Sequence, residues 1–452
     1  MKAETKNESA SISASSHVRV TPSQHRVAII GGGYAGLAAA VELASRNIHV
    51  RVFEAGPTLG GRARRISYQN IDLDNGAHIL LGAYEETLRV MEIAGTPSTA
   101  LLRLPLQLAI KDGLQLFAAP LPSPLHLLVG LLTAKGLTIR ERLAAIRFMA
   151  TLRLSQFRLA NDMTVSTLLV KHGQNGTLAK FLWEPLCIAA LNTLPEEASA
   201  QIFLNVLRDS LAGRKQDSEL LLPRVDLSRL FPEQAAAYVK QQGGDVRLLA
   251  PVQNVEATNQ GYVLTLKEGV EEFDAVVLAV GPHQAARLLT SLESMSPTAL
   301  LIEQLSYEPI CTVYLKYSQD ISLPTPMLGL SGGLIQWIFD RQALYGQQGL
   351  VAVVMSASGA HRALENQALA DAISEEITQH FPHLNNPVWS KVIVEKFGTF
   401  ACTPNLKRPP QQTPLKHFYL AGDYTASDYP ATLESAVQSG VKCAKLLLAE
   451  AT

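Results

Sequence analysis

The stretch Arg26–Glu54, RVAIIGGGYAGLAAAVELASRNIHVRVFE, constrains the fold of this chain more than any other. An apolar run of strand length, Val27 to Ile30, leads into three glycines at G-x-G-x-x-G spacing, Gly31, Gly33 and Gly36. An alanine-rich helical run follows to about Arg46, and a β-rich run from Val50 to Phe53 ends on Glu54. Strand, glycine turn, helix and strand in that order make a βαβ unit. Gly31 is expected to form the tight turn, Gly33 to let backbone approach a pyrophosphate, and Gly36 to let helix and strand pack closely. Phosphates then sit at the helix N-terminus, where unpaired N–H groups and the dipole favour anions. Glu54, about 20 residues further on, is placed to accept hydrogen bonds from a ribose. Ala35 and Ala55 fall within the same binding segments. The expectation is an α/β domain that binds a dinucleotide.

At 452 residues the chain exceeds one ordinary domain, so two domains are expected. Only 17% of its residues are charged and 47% are hydrophobic. Soluble domains carry roughly 25% charge, so large cores and a greasy ligand or surface are indicated. A net charge of -1 argues against nucleic-acid binding. Cys187, Cys311, Cys402 and Cys443 lie far apart without a C-x-x-C pair, which suggests neither a metal site nor a disulfide framework. Residues 1–25 are polar, rich in serine and alanine, and lack an apolar signal core. They are expected to be a disordered tail on a cytoplasmic protein.

Beyond Glu54, Gly60, Gly61 and Arg62 would continue the phosphate cradle, with a guanidinium available for charge-assisted contacts. That loop resembles the second half of the fingerprint of glutathione-reductase-type flavoproteins, which shifts the expected cofactor to FAD. In IDLDNGAHILLGAYEETL, residues 71–88, Gly76 and Ala77 suggest close backbone approach and His78 is a polar group among apolar neighbours. In the amine-oxidase-like branch such a segment lies along the flavin ring, so His78 is read either as a structural donor or as a catalytic residue. Residues 114–134 contain no Asp, Glu, Lys or Arg, but Pro120, Pro122 and Pro124 exclude a membrane-spanning helix. The following segment carries Lys135, Arg140, Arg142, Arg147, Arg153 and Arg158 against Glu141 alone. Together, residues 114–158 read either as a monotopic contact with an anionic bilayer or as a buried loop beside a solvated helix. Glu184, between Trp183 and Pro185, is an ionisable group in an apolar setting and a candidate proton donor.

Strand and turn signals from Val246 to Val280 return the chain to the first sheet, with Val252 where such enzymes present backbone to the adenine. Strands at Cys311–Tyr317, Leu334–Phe339 and Leu350–Ser356, then a helix ending near Pro382, belong with a substrate domain. Near the C-terminus, HFYLAGDYTASDYPATLESAVQSG gives a strand ending at Gly422 and Asp423, then a helix. Asp423 resembles the carboxylate that, in FAD enzymes with this Ala-Gly-Asp ending, bonds the ribityl chain or pyrophosphate region, and the resemblance implies that place for it. Thr432 and Leu433 would present helix N–H groups to the flavin edge on which negative charge accumulates. Both chain ends therefore hold one cofactor, and the FAD domain must be discontinuous. Its expected pieces are 26–100, 224–299 and 395–452, with 101–223 and 300–394 forming an inserted α+β substrate domain.

IIGGGYAGLAAAVELA, FEAGPTLGGRAR, DNGAHILLGAYEETLR, FLWEPLCIAALNT and LAGDYTASDYPATLESAVQSG together resemble one family. It is the squalene-associated FAD-dependent desaturases, understood as hydroxysqualene dehydroxylases, and the resemblance runs from about residue 26 to the C-terminus. It implies an amine-oxidase-like fold and reductive dehydroxylation of hydroxysqualene, a C30 isoprenoid, by reduced FAD in squalene and hopanoid biosynthesis. It also implies an electron donor that the residues do not name, and leaves His78 and Glu184 as the candidate catalytic acids. The rival readings are a carotenoid-type polyene desaturase, an amine oxidase and a non-enzymatic prenyl-lipid carrier.

Overall fold

The computed structural model describes residues 26–357 and 359–450; the tail expected over 1–25 lies outside them. Five short strands form a parallel sheet in the order Asp245–Arg247, His49–Phe53, Arg26–Ile30, Ala275–Leu278, Phe418–Leu420. Val27–Ile30 and Ala275–Leu278, on neighbouring inner strands, are uninterrupted apolar runs because both of their faces are covered. The helix Tyr34–Ala44 packs on the sheet, and all of its residues are buried. Its alanines allow this, since the C-terminal helix Leu433–Glu450 crosses it at close range. A Cβ on Gly440 of that helix would stand 2.0 Å from the Ala35 carbonyl oxygen.

A second, antiparallel sheet runs Met327–Gly329, Trp337–Asp340, Leu350–Ser356, Tyr307–Lys316, Trp389–Phe400. Side chains alternate across it with the two-residue period of a strand. Val351, Val353 and Met355 pack under the helix Asn366–His380, whereas Leu350, Ala352 and Val354 belong to the opposite face. Its last strand pairs with Tyr307–Lys316 through to Phe400. The boundary expected at 395 therefore falls inside a paired strand, and the chain returns to the parallel sheet only after Phe400.

Two helices, Leu125–Thr133 and Ile139–Leu154, occupy the low-charge segment and its basic continuation. Arg142 joins them, its guanidinium donating to the Leu132 carbonyl at 2.6 Å and the Ala134 carbonyl at 2.7 Å. Cationic donors at a helix C-terminus satisfy carbonyls that the helix itself leaves open. Phe117, Leu121, Leu125, Leu128, Leu132, Ile139, Leu143 and Leu154 are exposed along this edge, so the segment is not a buried loop. Among the described residues no helix is long and apolar enough to cross a membrane.

Candidate active site

A cavity of about 1310 Å³ lies between the two sheets and the helices. It exceeds the roughly 300–1,000 Å³ usual for one small ligand. One end is lined by Gly31, Gly33, Ala35, Glu54, Ala55, Gly61, Arg62, Val252, Gly422 and Asp423. Gly76, Ala77, His78, Thr432 and Leu433 line it as well, so every expected cofactor residue except Gly36 meets there. Gly36 serves packing instead: a Cβ would lie 2.1 Å from the Gly31 carbonyl oxygen. Gly31 adopts φ +114, as the tight turn requires. Gly33 has ample room, the nearest atom to an added Cβ being Gly61 Cα at 3.8 Å. Among the described residues nothing demands a glycine there, so the open space at Gly33 is room for a ligand.

Glu54 accepts from the Gly32 N–H at 2.8 Å and the Gly56 N–H at 2.7 Å, which fixes its carboxylate at the cavity wall. Arg62 pairs with Asp423 and donates to the Gly398 carbonyl at 2.8 Å, tying the glycine loop to the C-terminal carboxylate. Beside Asp423, Tyr424 lines the cavity with a buried hydroxyl that has no hydrogen-bond partner among the described residues. An orphan hydroxyl, a paired cation and an open glycine turn at one end of a cavity fit a pyrophosphate and a polyhydroxyl chain.

The turn carrying His78 is held from behind. Asp74 is fully buried; its Oδ1 accepts from the Leu227 N–H at 2.8 Å and its Oδ2 from Arg341 at 2.7 Å. Asn75 donates to Glu395 at 2.9 Å, and His78 Nδ1 lies 2.8 Å from the Gly76 carbonyl. A carbonyl only accepts, so Nδ1 carries a proton, and in the neutral ring Nε2 is an acceptor. Burial also lowers the His78 pKa, the Gly76 hydrogen bond opposing it, which favours this neutral ring.

At the C-terminal helix, Thr432 and Ser435 cap one another, the Thr432 N–H donating to Ser435 Oγ at 3.0 Å. That N–H is therefore not free for the flavin, as the sequence reading had it. Glu184 is not brought to the site. Leu182, Trp183, Leu186 and Ala190 line the cavity, and Glu184 lies off that face of the helix. Burial raises its pKa, Glu196 adds to this and Lys180 opposes it.

Sequence reasoning missed a polar pair inside the cavity. Tyr429 donates to Asp209 Oδ2 at 2.6 Å, and both residues line the space between the cofactor end and the apolar arm. Arg208 holds the same carboxylate, its Nε 2.6 Å from Oδ1. The arm beyond is walled by Leu106, Leu108, Leu127, Leu131, Phe203 and Leu207. It reaches the surface at Leu128, which lines the cavity and is 36% exposed.

A flavin-cradling parallel sheet set against an antiparallel sheet with an apolar cavity between them defines a flavoprotein oxidoreductase. The family model described as flavin containing amine oxidoreductase matches residues 34–448, and the chain belongs to that family. It is 30% identical to the hydroxysqualene dehydroxylase of Rhodopseudomonas palustris over 94% of this chain and 98% of that protein. It is 29% identical to the enzyme of the same name from Sinorhizobium fredii, again over 94% and 98%. Within the family the chain thus groups with the hydroxysqualene dehydroxylases. The cyclohexylamine oxidase of Brevibacterium oxydans shares the fold, with a TM-score of 0.68 at 16% identity over 95% of this chain and 99% of that one. The chain is an FAD-dependent oxidoreductase.

Proposed function

We propose that the protein reductively dehydroxylates hydroxysqualene to squalene, with the cofactor residues named above holding FAD. The observation that carries this reading is the cavity, in which the cofactor end opens without a partition into a leucine-walled arm. Reduced FAD supplies the hydride when bound. The protein's part is to bury a C30 chain, exclude water that would trap an allylic cation, and deliver a proton to the departing oxygen. The Asp209–Tyr429 pair supplies that proton. As the C–O bond breaks, the oxygen becomes more basic than a phenolate, even one whose pKa burial and the Asp209 carboxylate raise; the Tyr429 hydroxyl turns from Asp209 to give it the proton, and it leaves as water. Tyr429 recovers a proton from solvent through Asp209, which is half-buried beside Arg208. His78, neutral with Nε2 an acceptor, orients rather than donates.

The same reading sets the protein against the inner face of the cytoplasmic membrane. The exposed leucines of the two helices would enter the bilayer while Arg140, Arg147 and Arg153 meet anionic headgroups. Substrate would then pass from lipid into the arm beside Leu128.

The decisive experiment is anaerobic mixing of flavin-reduced protein with hydroxysqualene. Squalene formation with stoichiometric flavin reoxidation is expected, and their absence overturns the reading. A desaturase would leave the reduced flavin untouched. Replacing Leu125, Leu128 and Leu132 together with serine is expected to abolish co-sedimentation with anionic vesicles.

A further inference from the structure

The helix Ile139–Leu154 presents Ile146, Met149, Ala150 and Arg153 to the cavity. That spacing is one face of a helix. Three of these residues are apolar, like Leu127, Leu128 and Leu131 of the preceding helix, which line the same space. The fourth is a guanidinium. Arg153 is exposed as well as cavity-lining, which sets it at the rim. Among the described residues its side chain has no ion pair and no hydrogen bond. Arg62, Arg64 and Arg287 line the cavity from the glycine loop and from the helix after the parallel sheet, so Arg153 is the cation of the leucine-walled arm.

A cation suits the last turn of a helix, but that preference is met at any angle around the axis. Arg140 and Arg147, seven residues apart, share a different face with the exposed Leu143 and Leu154. At 3.6 residues per turn, Arg153 stands about 120° round from Arg147. An anion drawn to Arg140 or Arg147 keeps its chain outside the protein. One drawn to Arg153 has an apolar channel directly behind its charge. Dehydroxylation makes no use of this cation, because hydroxysqualene is uncharged and Asp209 already has Arg208 beside it.

We propose that the arm binds a single-chain lipid with an anionic head, a long-chain carboxylate, whose two oxygens meet the Arg153 guanidinium while its tail runs along Ile146, Met149 and Leu128. A carboxylate matches one guanidinium through two parallel hydrogen bonds. A diphosphate spreads its charge over more oxygens and calls for several cations, which the arm does not supply. The bound tail fills space that a C30 chain needs, so the two ligands exclude each other. That competition, unlike the binding itself, rests on the dehydroxylase reading. Fatty carboxylates released in a bilayer thus hold back the isoprenoid reaction.

The test is calorimetric titration of oxidised, FAD-loaded protein, without vesicles, with monomeric oleate, oleyl alcohol and farnesyl diphosphate. The wild-type protein is expected to bind oleate about 10- to 100-fold more tightly than the alcohol. Arg153→Gln, similar in length and at an exposed position, is expected to lose that margin and to bind the alcohol as wild type does. Arg153→Lys should keep part of the margin, and Arg147→Gln all of it. Equal affinity of wild type for oleate and the alcohol overturns the proposal, as does an Arg153→Gln protein that keeps the margin. An equal loss in Arg147→Gln would show adsorption to the basic surface, and tighter binding of farnesyl diphosphate would show a phosphorylated lipid; either also overturns it. Failure of the dehydroxylase reading is registered separately, by reduced wild-type protein that forms no squalene while these titrations still discriminate.

Discussion

Arg341 and Asp74 form an ion pair at 2.7 Å across 267 residues of sequence, with side chains only 1% and 0% exposed. The pair joins the antiparallel sheet to the turn that carries Asn75, Gly76 and His78. Tyr314 completes the clamp, its hydroxyl donating to the Asp74 carbonyl at 2.9 Å. Arg341 also stacks on the ring of Tyr345 at 3.4 Å. Breaking one partner of a buried pair leaves the other charged and unsolvated, at a cost of about 3–5 kcal/mol. Arg341→Ala is therefore expected to lower the denaturation midpoint sharply and to loosen FAD together with the His78 turn. An unchanged midpoint with normal FAD content would show that the pair contributes nothing.

Two glycines near the cofactor separate ligand space from packing space. Gly33→Ala places a methyl 3.8 Å from its nearest neighbour, at ordinary φ, and should fold normally while losing FAD. Gly440→Ala places one 2.0 Å from the Ala35 carbonyl oxygen and must push two helices apart. Overpacking of that kind costs about 1–3 kcal/mol or more. The expected outcome is a stable, colourless Gly33→Ala protein and a destabilised Gly440→Ala protein. The reverse pattern would refute the division.

Tyr429→Phe removes one hydroxyl and leaves the ring in place. Loss of a positioned acid costs about 10²–10⁴-fold in rate. The fall should appear in single-turnover flavin reoxidation rather than in the affinity of the oxidised protein for substrate. The solvent isotope effect should change with it, because proton delivery then comes from water. Wild-type rates in Tyr429→Phe would remove this residue from the chemistry.

Acid should weaken the fold through its buried histidines. Burial lowers the pKa of His78, His126 and His361 in the native state. The unfolded chain then binds protons that the folded chain refuses, so stability is complete above the ordinary histidine value of about 6.5 and declines as pH falls below it. His126 is the sharpest case, being 1% exposed with Nε2 3.1 Å from Ser218 Oγ and Nδ1 without a partner among the described residues. His126→Gln should flatten the pH dependence of the unfolding midpoint between about 5 and 7. A slope identical to wild type would exclude His126 as a contributor.

What the sequence disclosed and what it hid divide along sequence separation. The glycine turn and Glu54 act within one βαβ unit, so spacing alone located them. The C-terminal strand Phe418–Leu420, leading to Asp423, was legible for the same reason. Tyr429 and Asp209 meet across 220 residues, and nothing local to either marks the other as its partner. Arg341 sits in a short helix with no motif around it, and only the folded chain shows what it binds. Glu184 misled because Trp183 and Pro185 make its surroundings look apolar, whereas the direction of a side chain depends on its angle around the helix. The boundary set at 395 failed because WSKVIVEKFGTF mixes charged and apolar residues, as an edge strand with one exposed face does.

The cofactor domain draws its sheet from residues 26–53, 245–247, 275–278 and 418–420, and Arg62 reaches its carboxylate partner only at Asp423. A ribosome making this chain delivers that carboxylate, and the helix that follows it, 361 residues after Arg62. FAD capture consequently waits for the segment past about residue 420. Yellow colour in a preparation reports correct long-range assembly, and nonsense fragments ending before about residue 420 should be colourless however well their first βαβ unit folds.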